Sequence, residues 1–467
     1  MKNLTIENIV KACKGEYFGT ADLTKEITGV TTDSRKLEEG NLYAAFAGER
    51  VDGHKFIEDC LNKGALVAIG EQEVQEGWNS YIRVKSTEAA LRDIAAFYRA
   101  QLSCKVVGIT GSVGKTSTKE TVASVLGEKY RVVKTQGNFN NQIGLPLTVF
   151  SLDETTEVAV LEMGIGDFGD MSNLTAVAKP DVAVITNIGV AHMENLKSRD
   201  GILKAKTEIF EGMDENGTVI LNGDDDKLVL VQESHGKRPL FFGIDNKSGV
   251  YAEDIEDLGL EGTRCVIRGL DTADHQESIS VTIPVAGRHM VLNAMAAALV
   301  GEVLGLTAEE IRTGIEKMQT IAGRNNKIVA NGLTVLDDCY NASPTSMKAS
   351  IDIINSAEGR KVCILGDMFE LGKNESSMHY DVGMYLGGKQ IDVLITAGKL
   401  AENIAQGAKA FHEAHYEAYD TEVHAFATKE EMLDHLDELI LKGDTVLVKA
   451  SHGMGFAEVV EKLTHEE

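Results

Sequence analysis

The sequence predicts an α/β protein of three domains: a small N-terminal α/β domain, a central domain with a mostly parallel sheet, and a C-terminal Rossmann-like α/β domain. From about residue 103 onwards, near-continuous runs of Val, Ile and Leu alternate with helical stretches. This pattern is typical of parallel strands that are covered on both faces. The chain has 467 residues, which is enough for two to four domains.

Changes in the pattern place the domain limits, and the predicted domains are residues 1–98, 99–321 and 322–467. The first contains short β-like pieces at 42–46 and 65–69 and ends in a helical run at 88–102. The predicted strands of the second are 105–110, 158–163, 182–187 and 218–221. Those of the third are 333–336, 362–365, 393–396 and 445–448.

The composition excludes several classes of protein. The net charge of −26 argues against non-specific binding to nucleic acid, which requires a basic face. The six cysteines form no C-x-x-C pair, so neither a zinc site nor a disulfide framework is indicated. No apolar run approaches the length of a membrane span, and we find no signal-peptide core near Met1. We therefore expect a reduced, cytoplasmic protein.

A glycine-rich segment between a predicted strand and a predicted helix narrows the chemistry most. It consists of Thr110, Gly111, Ser112, Val113, Gly114, Lys115, Thr116 and Ser117. Such a turn offers backbone N–H groups, the positive end of a helix and a lysine to phosphate, and the Thr116 hydroxyl to a phosphate-bound Mg²⁺. The general P-loop pattern has Gly where Ile109 stands, and a chance surface turn is the alternative. The strand–turn–helix context favours binding of a nucleoside triphosphate.

Polar residues also follow the next predicted strands of the central region. Glu162 closes one strand, Thr186 and Asn187 close another, and His192 follows in a loop. Ligands of open α/β sheets bind at the carboxyl ends of the strands. A carboxylate and an imidazole there could bind a metal ion beside a triphosphate, although each residue taken singly is more often simply solvated.

Lys206 lies on the apolar stripe of a predicted helix over residues 200–213, whereas Lys204 points away from it. Burial favours the neutral amine of a lysine, and a neutral amine can capture carbon dioxide as a carbamate. The alternative is a lysine whose stem packs while its ammonium reaches water. Periodicity alone favours that alternative.

The third region has polar residues at the ends of three predicted strands, in the segments 337–344, 366–368 and 449–455. They suggest a second binding edge. Loops rich in Asp, Asn and Gly are equally often plain turns, so the pattern alone leaves both interpretations open.

Together these motifs resemble the Mur ligase family of ATP-dependent amide-forming enzymes of cell-wall synthesis. The resemblance covers nearly the whole chain. It includes Thr32–Lys36 and Asp52–His54 in the first region, and the glycine-rich segment, Glu162–Gly164, Ala205–Ile209, Gly287–His289 and Asn293 in the second. The segments 137–146, 338–347 and 365–372 most resemble the members that join D-alanyl-D-alanine to UDP-N-acetylmuramoyl-tripeptide. Two positions depart from the pattern, Ser343 where Asn is usual and His452 where Arg is common.

The resemblance implies a role for each matched position. Thr116 and Glu162 would bind one Mg²⁺, and His192 with carbamylated Lys206 a second. The catalytic residues would be Lys115, His192, Lys206 and Asp338. ATP would contact Thr110, Gly111, Ser112, Val113, Gly114, Lys115, Thr116, Ser117, Asn141, His289, Asn293 and Arg324. The uridine nucleotide would lie at Asp33, Ser34 and Arg35, and the dipeptide at Tyr340, Asn341, Lys449 and Ser451.

In this reading ATP and Mg²⁺ are the cofactors, and UDP-N-acetylmuramoyl-tripeptide and D-alanyl-D-alanine are the substrates. We expect a monomer that neither binds nucleic acid nor enters a membrane. The third domain would close over ATP, because the substrates are divided among three domains. The alternatives are a sister ligase that adds a diamino acid, a folylpolyglutamate synthase-like ligase, and a nucleotide-binding scaffold without turnover.

Overall fold

The computed structural model describes residues 1–48, 51–190, 193–415 and 419–465. Within these ranges the chain forms three sheets, one for each predicted domain. Most of the predicted strands are present within one or two residues of their predicted bounds. The domain limits themselves stay predictions.

The first sheet has five strands in the order β1-β5-β4-β3-β2, of which only the β1–β5 pair is antiparallel. The strands are β1 (Glu16–Gly19), β2 (Val30–Thr31), β3 (Leu42–Ala44), β4 (Val67–Gly70) and β5 (Ser80–Arg83). The helices are α1 (Ile6–Cys13), α2 (Ile57–Asn62) and α3 (Thr87–Arg99).

Helix α3 connects this sheet to the next domain. Ser86 caps its first turn, and Arg99, which is buried, donates hydrogen bonds to the carbonyls of Leu102, Cys104 and Ala178. Tyr98 donates to the carbonyl of Leu152. One apolar core therefore runs from the first sheet into the second.

The central sheet has nine strands in the order β14-β13-β12-β11-β10-β9-β6-β8-β7. They are β6 (Lys105–Thr110), β7 (Val132–Lys134), β8 (Val158–Glu162), β9 (Val182–Ile185), β10 (Thr218–Asn222), β11 (Leu240–Gly243), β12 (Val250–Asp257), β13 (Thr263–Arg268) and β14 (Ser278–Ile283). The strands from β7 to β12 are parallel, and β13 and β14 are antiparallel. The prediction of a mostly parallel sheet is confirmed.

Seven helices accompany the central sheet in the described chain. They are α4 (Lys115–Leu126), α5 (Gly144–Phe150), α6 (Asp170–Ala178), α7 (Met193–Leu196), α8 (Arg199–Thr207), α9 (Arg288–Val303) and α10 (Ala308–Glu316). Helix α9 is apolar around most of its circumference and is buried against one face of the sheet. The helix predicted over 200–213 ends at Thr207 and continues as a 3₁₀ segment, Glu208–Gly212.

The third sheet has six strands in the order β15-β16-β20-β17-β18-β19, all parallel except the β15–β16 pair. They are β15 (Asn326–Ala330), β16 (Leu333–Asp337), β17 (Lys361–Gly366), β18 (Val393–Ala397), β19 (Glu422–Phe426) and β20 (Thr445–Lys449). Helices α11 (Pro344–Asn355), α12 (Glu375–Gly387), α13 (Glu402–Ala414), α14 (Lys429–Leu439) and α15 (Ala457–Thr464) cover its two faces.

Helix α11 gives a local reason for the serine at position 343. Ser343 is the N-cap of α11, and its hydroxyl accepts a hydrogen bond from the Ser346 N–H. The Ser346 side chain reaches back to the Ser343 N–H, and Pro344 occupies the first helical position. A reciprocal capping box of this kind needs a short hydroxyl or amide side chain, which serine supplies.

No helix in these described ranges is long and apolar enough to cross a bilayer.

Candidate active site

The glycine-rich segment forms a tight turn between β6 and α4. Gly111 has a φ of +153°, and a Cβ atom there would lie 1.9 Å from the Thr186 hydroxyl oxygen. Gly114 has a φ of +85°, in the left-handed region that favours glycine. Both glycines are therefore required by the conformation of the loop. The turn ends at Lys115, the first residue of α4, so the N–H groups of this helix end face the loop.

The end of β9 fastens this loop in place. The Asn187 side chain accepts a hydrogen bond from the Val113 N–H at 2.9 Å and donates to the Val113 carbonyl at 2.8 Å. Thr186 donates to the same carbonyl at 2.6 Å. The Ser112 N–H donates to the Asn187 carbonyl at 3.1 Å. Thr186 and Asn187 thus fix the shape of the loop.

Lys115 faces a cavity of about 280 Å³ beside the loop. Its ammonium donates to the Gly111 carbonyl at 2.9 Å. Burial lowers the pKa of Lys115, with nearby Glu162 raising it and nearby Arg324 lowering it further. Lys115 and Arg324, which lie in different predicted domains, are therefore close enough to repel each other. An anion between them would relieve this repulsion.

Lys206 lines the same cavity as Lys115. Its side chain is only 3% exposed, whereas Lys204 is exposed, as the apolar stripe predicts. Burial holds the pKa of Lys206 well below its ordinary value, and the nearby positive charge of Lys115 lowers it further. The neutral amine is the form that reacts with carbon dioxide.

Glu162, at the end of β8, is 2% exposed and retains one open oxygen. Its Oε1 accepts a hydrogen bond from the Asn140 side chain at 2.7 Å, and its Oε2 has no hydrogen-bond partner among the described residues. A buried carboxylate oxygen without a donor is costly unless it receives a cation. Thr116 is also buried, at the start of α4. These two oxygen donors fit the requirements of Mg²⁺.

A buried cation that the sequence analysis did not select lies next to Glu162. Lys119, on α4, is 1% exposed, and its ammonium lies 4.0 Å from Glu162 Oε2. The ammonium donates to the Thr135 carbonyl at 2.7 Å, and the Thr135 hydroxyl accepts from the Glu162 N–H at 3.0 Å. Its position three residues after Thr116, on the same side of a helix, was the available signal.

The residues that the resemblance assigns to the base lie at the start of α9. The Asn293 side chain accepts a hydrogen bond from the Thr118 hydroxyl at 3.0 Å, which places it beside the first turn of α4. Burial lowers the pKa of His289, and the charges of Asp338 and Lys449 act on it in opposite directions. His289 therefore faces the third domain.

Asp338 and Lys449 form an ion pair at the ends of β16 and β20. Lys449 is 2% exposed, and its ammonium also donates to the Asn341 carbonyl at 3.1 Å. Asp338 accepts further hydrogen bonds from the Ser350 hydroxyl at 2.7 Å and the Asn325 N–H at 3.0 Å. Lys449 is thus held inside the protein, so its part in binding a dipeptide would be to hold Asn341.

Tyr340 supports Arg324. The Arg324 guanidinium lies 4.1 Å from the centre of the Tyr340 ring, and the His452 ring lies 5.2 Å from it. The Nε of Arg324 is buried and has no hydrogen-bond partner among the described residues. Stacking on an aromatic ring is a common way to hold a guanidinium. Ser451 is buried, and its hydroxyl accepts from the Phe369 N–H at 2.9 Å.

Of the remaining predicted residues, one lies at the same cavity and three lie on the first domain. Asn141 lines the cavity, and its side-chain oxygen accepts from the Gly144 N–H at the start of α5. Asp33 and Arg35 form an exposed ion pair at 2.7 Å on the first domain, beside Ser34. The Arg35 side chain holds the pKa of Asp33 at about 2. His192 lies outside the described residues.

The Asp52–His54 segment has a structural role. His54 is buried, its Nδ1 lies 2.7 Å from Asp52 Oδ1, and its Nε2 accepts a hydrogen bond from the Glu71 N–H. Because Nε2 is the acceptor, the ring proton lies on Nδ1 and is donated to Asp52. Both ring nitrogens are thus engaged within the protein. The segment therefore offers no free imidazole to a nucleotide.

Three family models match successive parts of the chain. They are described as "Mur ligase family, catalytic domain" over residues 26–99, "Mur ligase middle domain" over 109–301, and "Mur ligase, glutamate ligase domain" over 323–452. The UDP-N-acetylmuramoyl-tripeptide–D-alanyl-D-alanine ligase of Bacillus subtilis (strain 168) is 39% identical over 464 residues, which are 98% of this chain and 98% of that protein.

Solved structures are similar over the same length. The crystal structure of MurF from Acinetobacter baumannii matches with a TM-score of 0.88 and 31% identity, covering 98% of each chain. The MurF ligase from Thermotoga maritima in complex with ADP matches with a TM-score of 0.80 and 29% identity, covering 93% of this chain and 96% of that one. The chain, with its P-loop cavity and its three sheets, therefore belongs to the Mur ligase family.

Proposed function

We propose that this protein is an ATP-dependent ligase that joins D-alanyl-D-alanine to UDP-N-acetylmuramoyl-tripeptide in the synthesis of peptidoglycan precursors. The observation that carries the proposal is similarity along the whole chain to a ligase of that name, over 98% of both proteins. A ligase with three substrates needs all three domains. The similarity to the Bacillus subtilis ligase extends over all three. The predicted monomeric state and cytoplasmic location stay predictions.

In the proposed reaction the terminal carboxylate of the tripeptide attacks the γ-phosphate of ATP and gives an acyl phosphate and ADP. The amine of the dipeptide then attacks the acyl carbon and releases phosphate. The difficulty lies in bringing a carboxylate anion against a polyanionic phosphate. The cavity is lined by the cationic side chain of Lys115, and the charge of Arg324 is close enough to act on Lys115.

The side chains around the loop would hold the phosphates in line with the attacking carboxylate. Lys115 would contact the transferred phosphate, and the N–H groups of the turn would bind the phosphate oxygens. Arg324 comes from the third domain, so its approach to the phosphates would depend on how that domain is placed. Tyr340 would keep the guanidinium aligned by stacking.

Glu162 and Thr116 are the proposed ligands of one Mg²⁺, with support from the open Oε2 of Glu162. When bound, the metal would neutralise charge on the phosphates. Lys206, as a carbamate, is the proposed ligand for a second ion, together with His192. The support for the carbamate is the burial of Lys206 and its lowered pKa.

The uridine nucleotide would bind the first domain at Asp33, Ser34 and Arg35, which lie on its surface. The dipeptide would bind the third domain near Tyr340 and Asn341, with Lys449, Ser451 and Asp338 holding that edge in shape. The adenine would lie between His289 and Asn293.

Phosphate release tests the whole proposal. The purified protein should release phosphate from ATP only when UDP-N-acetylmuramoyl-tripeptide and D-alanyl-D-alanine are both present. Turnover with a free diamino acid would assign the chain to the sister ligase, and turnover with a folate and glutamate would remove it from cell-wall synthesis. No phosphate release with any of these substrates would favour a binding scaffold.

A further inference from the structure

Lys119 lies close to Glu162, a proposed metal ligand, but too far from it to form a hydrogen bond. Its ammonium is fixed by the Thr135 carbonyl at 2.7 Å and by Glu120 Oε1 at 3.0 Å. Glu162 Oε2 lies 4.0 Å away. A hydrogen bond from an ammonium to a carboxylate spans about 2.7–2.9 Å. Lys119 therefore supplies charge to Glu162 without occupying its open oxygen.

The neighbours of Lys119 keep its charge directed at Glu162. The second oxygen of Glu120 bonds to Lys134, which is partly exposed, so Glu120 has its own counter-ion and some contact with water. Glu162 lacks such contact with water, because its side chain is 2% exposed. Glu162 is the more deeply buried carboxylate, and Lys119 is the ammonium placed beside it.

This arrangement affects a free divalent cation in a simple way. A cation that approaches Glu162 Oε2 must also approach the fixed ammonium of Lys119, and like charges repel strongly in a site shielded from water. Lys115 adds a second positive charge near the same carboxylate. The phosphates of a nucleotide would add several negative charges to the site, so that a divalent cation would be attracted to it and no longer repelled.

We infer that Lys119 is a positioning residue that serves as the built-in counter-ion of Glu162, so that a divalent cation binds this site with a nucleotide and not alone. The inference rests on the proposed function, which assigns Glu162 to the metal. Its consequence is that the metal would enter the site as the metal–nucleotide complex.

The test measures Mn²⁺, a hard cation visible by electron paramagnetic resonance, binding to the full chain with and without ADP. Lys119→Gln keeps a donor for the Thr135 carbonyl and removes the charge, and Lys119→Met removes both. We expect both variants to bind Mn²⁺ at least tenfold more tightly than the parent without nucleotide. With ADP present the difference should fall below threefold.

Lys134→Gln is the matched control. This variant removes a lysine that also contacts Glu120. The charge of Lys134 is partly exposed and is therefore screened by water. The variant should change Mn²⁺ affinity less than twofold. Circular dichroism and a thermal melt on each variant establish that it is folded. If Lys119→Met does not fold, Lys119→Gln still decides the outcome.

Unchanged or weaker Mn²⁺ binding without nucleotide in a folded Lys119→Gln variant overturns the inference. An equal increase of Mn²⁺ affinity in Lys134→Gln and Lys119→Gln also overturns it. Glu162→Gln separates this failure from failure of the proposed function. If Glu162→Gln weakens Mn²⁺ binding with ADP while the Lys119 variants behave as the parent, only the role of Lys119 is wrong. If Glu162→Gln has no effect with ADP, the metal assignment itself is wrong.

Discussion

Predicted site residues lie at the carboxyl ends of the strands in the central sheet (the central edge) and in the third sheet (the third edge). The two edges differ in how many of their polar side chains are already hydrogen-bonded within the protein. At the central edge Glu162 Oε2 has no hydrogen-bond partner among the described residues, and Lys115 and Lys206 face a cavity. At the third edge Asp338 is bonded to Lys449, Ser350 and Asn325, and Ser451 accepts from Phe369. Open polar groups prepare the first edge for a ligand, whereas internal bonds give the second edge a fixed shape. The chemical type of a residue therefore does not reveal its role until its partners are known.

The largest effect is expected for Lys115→Ala, which tests whether the open polar groups of the central edge act on a ligand. We expect ligation to fall at least about 10²-fold, because a positioned charge on the reacting phosphate is lost. The fold should persist, because Lys115 faces the cavity and its ammonium bonds to Gly111 in its own loop. Steady-state phosphate release measures the effect. Lys105→Ala, at the start of β6 and thus at the end of that strand far from the loop, is the control. Near-normal turnover of folded Lys115→Ala would contradict the assignment.

Lys206→Ala should also remove most activity, and short carboxylic acids should restore part of it by occupying the place of the carbamate. Intact-protein mass spectrometry in bicarbonate should detect one added carbon dioxide in the parent and none in Lys206→Ala. Because the pKa of Lys206 is lowered, its neutral amine is present above that pKa and disappears as the pH falls through it. The carbamate should therefore decline with acidification. Lys204→Ala is the matched control, and loss of the added mass in that variant would contradict the proposal.

At the third edge the expected effect is on stability. Lys449→Met should lower the free energy of unfolding by about 3 kcal/mol, because it leaves Asp338 partly buried without its cation. Urea unfolding followed by circular dichroism measures the change. Lys462→Met breaks an exposed pair with Asp437 in the same domain and should cost no more than about 1 kcal/mol. Equal losses in the two variants would show that the third edge is not the fixed structure described above.

The smallest effect is expected on the first domain. Arg35 is 86% exposed, and among the described residues its side chain bonds only to Asp33, so Arg35→Ala should leave the melting temperature unchanged. We expect a severalfold rise in KM for the uridine nucleotide substrate with kcat unchanged, because the lost contact would stabilise ground state and transition state equally. Lys36→Ala, which removes an adjacent exposed charge, should leave KM unaltered. An equal rise in both variants would mean general charge attraction, without a specific contact at Arg35.

The sequence was sufficient to locate the inner parallel strands of the second and third sheets and many of the residues at the carboxyl ends of the central strands. Apolar runs located the parallel strands, and the helical stripe separated Lys206 from Lys204, because burial follows periodicity directly. The antiparallel strands β13 and β14 were not predicted, although alternating residues between Thr263 and Arg268 carry the signal. The sequence did not decide whether the third edge binds a ligand or consists of plain turns. Its shape depends on long-range pairs such as Asp338 with Lys449, which join residues more than a hundred positions apart. Local pattern cannot predict such pairs.

The contact between Gly111 and Thr186 also limits how the enzyme can change over generations. Every amino-acid replacement at position 111 adds a Cβ atom, and that atom would overlap the Thr186 hydroxyl oxygen at 1.9 Å. A replacement of Gly111 would therefore need a second, simultaneous mutation at Thr186. Thr186 in turn bonds to Val113, so the second mutation would disturb the same loop. Position 111 is therefore expected to stay glycine as the sequence diverges, because replacing it means changing a second residue of the same loop.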